Sequence, residues 1–358
     1  MAYTTDKKRS NNFAALRIFT ALMVIYAHSF PLTGNPDAEL LGISASFLRV
    51  RGFFAICGFL ITLSWLSDPH FFRYLTKRLL RIIPLLVFTV FATAFLMGPI
   101  TTKLSMAEYF TSPQLWAYLS TSYLDIYFGL PGVFEENPSQ SVNGSLWTLP
   151  PEFALYLILP AMLLLLRNKL AVSAVFLSSA LIMLIFPQYY EIVEMPIIRN
   201  IPLWSVFSVA PYFFAGSIVA LLSLQKYLNI YIAFILLMIA NIIPYQGIAE
   251  QYLLLFTITY LWLSFGLGSA PMIANVQRYG DPTYGIFLFG FPVQQILIFY
   301  GIFPTNAWAN FLIAGTICTI LGYCSWHLFE KHIIALKPTG KNPERHPEER
   351  LSGAYSNA

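Results

Sequence analysis

Long apolar segments, separated by short polar ones, run through most of the chain. A helix that crosses a bilayer needs about 20 largely apolar residues, and about ten segments come close to that length. The pattern therefore predicts an all-α fold, a polytopic membrane helix bundle with about ten transmembrane helices. The predicted helices cover residues 13–31, 52–67, 79–98, 146–166, 170–187, 202–223, 228–245, 250–268, 282–301 and 309–331.

The composition of the chain agrees with a membrane location. Of the 358 residues, 57% are hydrophobic and 16% are aromatic, whereas only 11% are charged. The mean hydropathy is +0.64. A soluble domain cannot bury that much apolar surface, so the composition favours a bilayer as the solvent.

The cations predict the orientation of the chain, because Lys and Arg accumulate in cytoplasmic loops. If the N-terminus is cytoplasmic, most of the 21 Lys and Arg residues fall on the cytoplasmic side. An even number of spans then returns the C-terminus to the same side. We therefore expect both termini in the cytoplasm and the protein in the cytoplasmic (inner) membrane. The net charge of +4 is explained by topology and gives no reason to expect nucleic acid as a partner.

The polar segments divide the chain into three parts. Residues 1–12 are expected to be a cytoplasmic N-terminus, residues 13–331 the membrane domain, and residues 332–358 a disordered cytoplasmic tail. Residues 99–145 form a long external loop, and loops of that length are commonly functional. Within this loop, LWAYLSTSYLDIYFGL (115–130) is expected to form a re-entrant or interfacial helix.

The three cysteines lie in apolar segments, at Cys57, Cys318 and Cys324. We interpret them as packing residues. Neither a disulfide framework nor a metal site is expected from them.

Two ionisable side chains share one face of the first predicted helix. Arg17 and His28 are about three helical turns apart, which separates them by roughly 16 Å along the helix axis. Arg17 could snorkel to the nearby membrane surface, and His28 could hydrogen-bond to the backbone at the opposite interface. The alternative is that both are functional, because an ionisable residue inside a membrane is costly.

Glu152 lies about two turns into the fourth predicted helix, directly after Pro150 and Pro151. A carboxylate at that depth should face the bundle interior and pair with a cation or a hydrogen-bond donor. The two prolines free backbone carbonyls, as happens where a helix lines a cavity. Glu152 is therefore either a structural partner or a functional residue. Nearby Trp147 also fits an ordinary interfacial tryptophan.

The segment FFRYLTKRLLRIIPLL (71–86) carries Arg73, Lys77, Arg78 and Arg81 next to an apolar run. Their spacings of three and four place at least three of them on one helix face, where like charges repel. The cations could anchor the protein to anionic lipid headgroups. The alternative is a site for a phosphorylated ligand, because arginine binds phosphate oxygens bidentately.

Taken together, these motifs resemble the acyltransferase family 3 integral-membrane enzymes, which O-acetylate cell-surface glycans and related acceptors. The resemblance covers roughly residues 12–331 and depends on several stretches that occur in order. They are LRIFTALMVIYAH (16–28), RGFFAICGFLIT (51–62), FFRYLTKRLLRIIP (71–84), SLWTLPPEFALY (145–156), TYGIFLFGFPV (283–293) and SWHLFEK (325–331).

The resemblance implies catalytic roles. His28 matches the family's first-helix histidine, which is proposed to act in acyl transfer, and Arg17 matches its conserved arginine. We expect His28 to be the general base that accepts the proton of a hydroxyl. Glu152 could orient that imidazole, and Arg17 could pair with Glu152, bind a phosphate or offset the developing oxyanion.

The resemblance also implies binding residues. Arg78 and Arg81 match an Arg-x-x-Arg pair that is assigned to the inner face and linked to acetyl-CoA, and the other cations of residues 71–86, Arg73 and Lys77, are expected to assist. Trp147 and Tyr284 lie in two of the matching stretches and are expected to contact substrate. Acetyl-CoA is thus the expected acyl donor.

Three positions depart from the family pattern. Cys57 stands where relatives commonly have serine, Ala15 where an acid is often found, and Gly290 where a histidine is usual. The last two departures leave more of the catalytic chemistry to His28 and Glu152.

The expected function is transfer of an acetyl or other acyl group from cytoplasmic acyl-CoA to a hydroxyl of an extracytoplasmic glycan. The acceptor would be O-antigen, capsule, another surface polysaccharide or a lipid-linked saccharide, with membrane lipids as further partners. The alternative is a transporter or flippase for a lipid-linked glycan or a small anion. Ten or so helices with buried charges and internal prolines suit that class as well.

Overall fold

The computed structural model describes residues 11–40, 42–185, 197–242, 247–268 and 275–338. Residues 1–10 and 339–358, which include most of the predicted terminal segments, lie outside the described residues. The fold is all-α, as predicted. The helices are α1 (Phe13–Leu32), α2 (Ala45–Ser67), α3 (Phe71–Ala92), α4 (Gly98–Thr101), α5 (Met106–Thr111), α6 (Pro113–Tyr118), α7 (Leu149–Leu166), α8 (Lys169–Ile185), α9 (Trp204–Leu221), α10 (Ile230–Ile242), α11 (Ile248–Leu267), α12 (Thr283–Phe299), α13 (Ala307–Ser325) and α14 (Lys331–Ile334).

Shorter elements complete the regular structure. Two antiparallel hairpins pair strand β1 (Glu39–Leu40) with β2 (Ile43–Ser44), and β3 (Ile197–Ile198) with β4 (Ile201–Pro202). Tight 3₁₀ and wide π turns continue several helices. The 3₁₀ turns are Leu119–Tyr123, Gly144–Thr148, Leu224–Tyr227 and Asn275–Tyr279, and the π turns are Thr93–Met97 and Trp326–Glu330.

Six helical segments of the described chain are long and apolar enough to cross a membrane. Three shorter apolar helices accompany them. The six are Phe13–Leu32, Ala45–Ser67, Phe71–Thr101, Gly144–Leu166, Trp204–Leu221 and Ala307–Ile334, and the three are Lys169–Ile185, Ile230–Ala240 and Thr283–Phe299. Each predicted apolar segment overlaps a helix, but the count of about ten spans and the orientation of the termini stay predictions.

Helices α2 and α9 approach each other closely where small residues meet. A Cβ on Gly58 would lie 2.0 Å from the carbonyl oxygen of Phe213, and a Cβ on Gly216 would lie 2.0 Å from that of Ala55. The hydroxyl of Ser217 also donates to the Gly58 carbonyl at 3.2 Å. Small residues let the two backbones approach, which strengthens helix association in a membrane.

The chain from 99 to 145 is folded against the bundle, but the stretch 115–130 does not form the expected single helix. Helix α6 ends at Tyr118, a 3₁₀ turn follows, and Leu124 has a left-handed φ of 69° that ends the helical run. The expectation of a re-entrant or interfacial helix there is wrong, because the backbone turns after about two helical turns. Farther along, Gln295 of α12 donates to the carbonyls of Ser139 and Ser141 and so anchors the loop.

Backbone and side-chain contacts group the helix termini into two ends. At the start of α1, the Asn12 amide donates to the Gly266 carbonyl at the end of α11. Beyond the other end of α1, Asn35 donates to the Thr305 carbonyl just before α13. The end of the bundle where α1 begins is called the basic end. It contains Asp68, Arg73, Lys77, Arg78, Arg81, Asp281 and Lys337. The opposite end, where α1 finishes, is called the loop end. It contains His28, Arg49 and residues 99–145.

Candidate functional site

A cavity of about 170 Å³ lies between α1, α2, α3, α7 and α12. Its wall reaches Arg49 at the loop end and Lys337 at the basic end. Ionisable side chains thus lie among apolar ones along this cavity, which is a common composition for a ligand site. The predicted site residues that line this cavity are Arg17, Arg78, Arg81, Glu152 and Tyr284.

Asp281 binds two of the predicted arginines at the basic end. Its Oδ2 lies 2.6 Å from Arg81 Nη2 and 3.4 Å from Arg17 Nη2. Its Oδ1 accepts the Thr283 hydroxyl at 2.5 Å, at the first residue of α12. Burial alone would raise the pKa of Asp281, but Arg17 and Arg81 outweigh burial and lower the pKa below its ordinary value. This carboxylate therefore stays ionised and joins α1, α3 and α12.

These contacts exclude one of the roles that the sequence left open for Arg17, an ion pair with Glu152. The guanidinium lines the cavity and pairs with Asp281, not with Glu152. Of the three roles considered for Arg17, pairing with Glu152 is therefore not observed, because Arg17 pairs with Asp281.

Glu152 faces the cavity and is only 6% exposed. The Tyr156 hydroxyl, one turn along α7, donates to Glu152 Oε1. The Cys57 thiol of α2 approaches the same oxygen at 3.9 Å. Among the described residues, no Lys or Arg forms an ion pair with Glu152. A phenol and a thiol thus surround the carboxylate midway along the cavity.

His28 lies at the loop end, where its Nε2 is 2.8 Å from Arg49 Nη2. A guanidinium can only donate, so Nε2 accepts this bond and the ring proton lies on Nδ1. Within the described chain, Nδ1 is buried without a hydrogen-bond partner. The ring also packs edge-on against Phe291, with 5.1 Å between the ring centroids. Glu152 was expected to orient this imidazole, but Arg49 holds it instead.

The four cations of residues 71–86 divide into two pairs. Arg73 Nη2 and Lys77 Nζ bind the Asp68 carboxylate at 2.5 and 2.9 Å, outside the cavity. The hydrogen bonds from Arg73, reinforced by Lys77, lower the pKa of Asp68 to about 2. Asp68 therefore stays ionised and keeps both cations engaged.

The second pair, Arg78 and Arg81, faces the cavity. Arg78 Nη2 donates to the Ser64 hydroxyl at 2.7 Å, and its guanidinium lies 5.6 Å from the Tyr74 ring centroid. Arg81 binds Asp281. Of the four cations that were expected to bind the donor, these two are therefore placed to meet a ligand in the cavity.

Comparison with known proteins identifies the class of this membrane bundle. A family model described as an acyltransferase domain, that of acyltransferase family 3, matches residues 11–327. The chain belongs to this acyltransferase family. It is 30% identical over an alignment of 345 residues to the O-acetyl transferase of Shigella phage Sf6. The alignment covers 91% of this chain and 96% of the relative.

A second relative covers a similar share of the acyltransferase. Nodulation protein 10 of Rhizobium leguminosarum bv. viciae is 28% identical over an alignment of 361 residues. The alignment covers 91% of this chain and 94% of that protein. No solved structure matches the chain. The resemblance inferred from the motifs is confirmed, and the protein is a multi-pass membrane acyltransferase.

The two expected substrate contacts of the acyltransferase lie in different surroundings. Tyr284 lines the cavity, and its hydroxyl donates to the Ile82 carbonyl of α3 at 2.8 Å. Trp147 is half-buried and packs among core residues, outside the cavity lining. At Gly290, a Cβ would lie 2.9 Å from Ile25 Cγ1. The position where relatives usually have histidine is therefore packed against α1.

Several polar residues of the cavity were not predicted as site residues, among them Arg49, Tyr156, Asp281 and Lys337. A signal existed for two of them. Asp281 lies two residues before the TYG motif, and Arg49 lies two residues before the RGFF motif. Nothing in the local sequence shows that Arg49 meets His28.

Proposed function

We propose that the protein transfers an acyl group, expected to be acetyl, from acyl-CoA to a hydroxyl of an extracytoplasmic glycan. The supporting observation is a single cavity that reaches from Arg78 and Arg81 to Arg49, the hydrogen-bond partner of His28. Acyl-CoA is cytoplasmic and the acceptor is outside, so the reaction requires a polar path across the bundle. The cavity supports such a path, because ionisable residues line it at both ends.

The basic end suits the donor. The nucleotide end of CoA carries phosphate groups, and guanidinium groups bind phosphate oxygens strongly. With the phosphates near Arg78, the acyl end of the donor points along the cavity past Cys57, Glu152 and Tyr156. These three side chains provide hydrogen-bond partners for the amide groups of the donor arm.

The loop end suits the acceptor. The hydroxyl oxygen attacks the thioester carbonyl carbon, the carbon–sulfur bond breaks, and CoA leaves as a thiolate that takes up a proton. His28 accepts the hydroxyl proton during the attack and passes it to the CoA thiolate. Its Nε2 becomes available when Arg49 turns from the imidazole to the oxyanion that forms on the carbonyl oxygen. One movement of Arg49 thus frees the base and stabilises the developing charge.

The name of the phage relative, O-acetyl transferase, supports oxygen as the acceptor atom and acetyl as the transferred group. The likeness covers 91% of this chain and 96% of that relative. We infer a surface or lipid-linked glycan as the acceptor, since a hydroxyl-rich polymer fits a site that faces away from the CoA pool.

Acyl transfer can be tested with the purified protein in nanodiscs, radiolabelled acetyl-CoA and glycan extracted from the cell envelope. Label should pass to the glycan. His28→Ala should lower the rate by about 10²- to 10⁴-fold, because a general base is lost. His332→Ala is the matched control, since His332 is exposed on α14, and it should transfer at the wild-type rate.

Two results would contradict this function. Full activity of His28→Ala would remove the imidazole from the reaction. Absence of labelled glycan, together with movement of a lipid-linked glycan across proteoliposomes, would favour the transporter alternative.

A further inference from the structure

The basic end contains more cations than its carboxylates pair with directly. Arg73 and Lys77 share one carboxylate, that of Asp68. Because both contacts are 2.9 Å or shorter, this carboxylate neutralises part of their charge and fixes both side chains in place. These two cations are therefore not available to a ligand.

Arg81 is engaged in the same way. It binds Asp281 at 2.6 Å and also donates to Thr283 at 3.4 Å. The carboxylate of Glu330, which is 4% exposed, contributes a further favourable charge to Arg81. A ligand that bound Arg81 tightly would compete with Asp281, so the main role of Arg81 is to hold α3 to the start of α12.

At the basic end, two cations of the cavity wall form no ion pair with a carboxylate in the described part of the chain, Arg78 and Lys337. Arg78 donates only to the neutral hydroxyl of Ser64 in the contacts that the structure gives, and its buried Nε has no partner. Lys337 follows α14, which packs against α3, and it is half-buried at the same cavity.

The surroundings of Lys337 are unfavourable for a free ammonium group. Burial and the charges of Arg81, Arg78 and Lys77 on α3 together lower its pKa to about 8, against a smaller opposing effect from Asp281. An anion placed between Lys337 and Arg78 would remove this repulsion. The arrangement therefore favours an anionic ligand at this point.

We infer that Lys337 and Arg78 together form a phosphate-binding site at the basic end of the cavity, which holds a phosphate group at the nucleotide end of acyl-CoA. This inference deepens the proposed function and depends on it. It separates Arg78, which binds the ligand, from Arg81, which stabilises the site. It also gives the chain after α14 a part in donor binding.

Binding of CoA to the purified full chain tests the inference, measured by titration calorimetry in nanodiscs of neutral lipid. Lys337→Met removes the charge but keeps the length, and it should weaken CoA binding by roughly 10- to 100-fold, the value of one charge-assisted hydrogen bond. Lys331→Met is the matched control on an exposed face of α14 and should change the Kd less than about twofold. Pantetheine, which lacks phosphate, should bind both variants like the wild type.

The pH dependence gives a second readout, because Lys337 binds phosphate only as the ammonium. Wild-type CoA affinity should fall as the pH rises from 7 through 9, whereas the affinity of Lys337→Met should change much less. The phosphate is already dianionic over this range, with a second pKa near 6, so the ligand does not cause the trend. Arg78→Gln should weaken CoA binding to a similar extent, and size-exclusion profiles should confirm that each variant is folded.

Equal CoA affinity of folded Lys337→Met and the wild type would overturn the inference. So would an effect of Lys337→Met that appears only in nanodiscs with anionic lipid, because the phosphate would then belong to a lipid headgroup. Failure of the proposed function is a different result, in which the wild type itself binds no CoA or transfers no label.

Discussion

At the scale of single residues, several ionisable groups at the cavity are held by polar partners. Arg49 donates to His28, the Tyr156 hydroxyl donates to Glu152, and Asp281 pairs with Arg81. In an apolar bundle an unpaired charge is costly, so the partner determines the orientation and the protonation of each group. The chemistry of His28 therefore depends on Arg49 as much as on the imidazole itself.

Replacement of Arg49 tests this dependence. Arg49→Gln should lower kcat for acyl transfer by about 10²- to 10³-fold, because the stabilisation of the oxyanion is lost. The Kd for CoA should stay unchanged, since Arg49 lies at the opposite end of the cavity. Rates from a radiolabel assay and binding from calorimetry measure the two quantities.

Arg51→Gln provides the control for Arg49→Gln. Arg51 lies two residues away on α2 but stacks over the Phe47 ring at 3.7 Å and is absent from the cavity wall. The Arg51→Gln variant should therefore retain most of the wild-type transfer rate. A wild-type kcat for Arg49→Gln would rule out the proposed movement of Arg49 during the reaction.

At the scale of helices, close packing of small residues places the site. Helix α2 carries Arg49, Cys57 and Ser64, and thus contacts the loop end, the middle and the basic end of the cavity. Its position against α9 depends on Gly58 and Gly216, where the backbones touch. A small shift of α2 would therefore alter the loop end, the middle and the basic end of the cavity together.

Gly216→Ala should therefore destabilise the protein by about 1–3 kcal/mol, because the new Cβ would clash with the Ala55 carbonyl and push α2 away. Thermal unfolding in detergent should show a lower midpoint. Gly315→Ala is the matched control within α13, since its Cβ would meet only ordinary contacts at 3.8 Å or more. Its midpoint should stay the same or rise, because alanine favours helix. Equal midpoints for the two variants would show that the contact between α2 and α9 is not tight.

At the scale of the whole molecule, the site requires that the two ends of the cavity face opposite sides of the membrane. The basic end collects cations, which agrees with a cytoplasmic location. The loop end collects residues 99–145, which are expected outside. The proposed donor and acceptor then reach the cavity from their own compartments.

Cysteine labelling in intact cells tests this orientation. In a Cys324→Ser background, the remaining Cys57 and Cys318 are largely shielded, so an added cysteine reports its own position. Glu135→Cys in the loop should react with an impermeant maleimide in intact cells, and Lys331→Cys should react only after permeabilisation. The reverse pattern would place the basic end outside and separate it from the cytoplasmic CoA pool.

Much of the fold could be predicted because helix formation in a membrane is a local property. The first predicted helix, residues 13–31, is observed as Phe13–Leu32. The common face of Arg17 and His28 followed from helical periodicity alone. The stretch 115–130 was predicted wrongly, since it is apolar enough for a helix but is turned by Leu124 and by contacts with the bundle.

The sequence by itself determined the helical class, the membrane location and, through its motifs, the acyltransferase family. It also indicated Arg17, Arg78, Arg81 and Glu152 as residues of the cavity, because a charge in an apolar helix must face a polar space. Only the tertiary structure decided the partners. Arg81 and Asp281 are 200 residues apart in the chain, and no local pattern specifies which distant helix brings a carboxylate, a phenol or a second cation to a given charge.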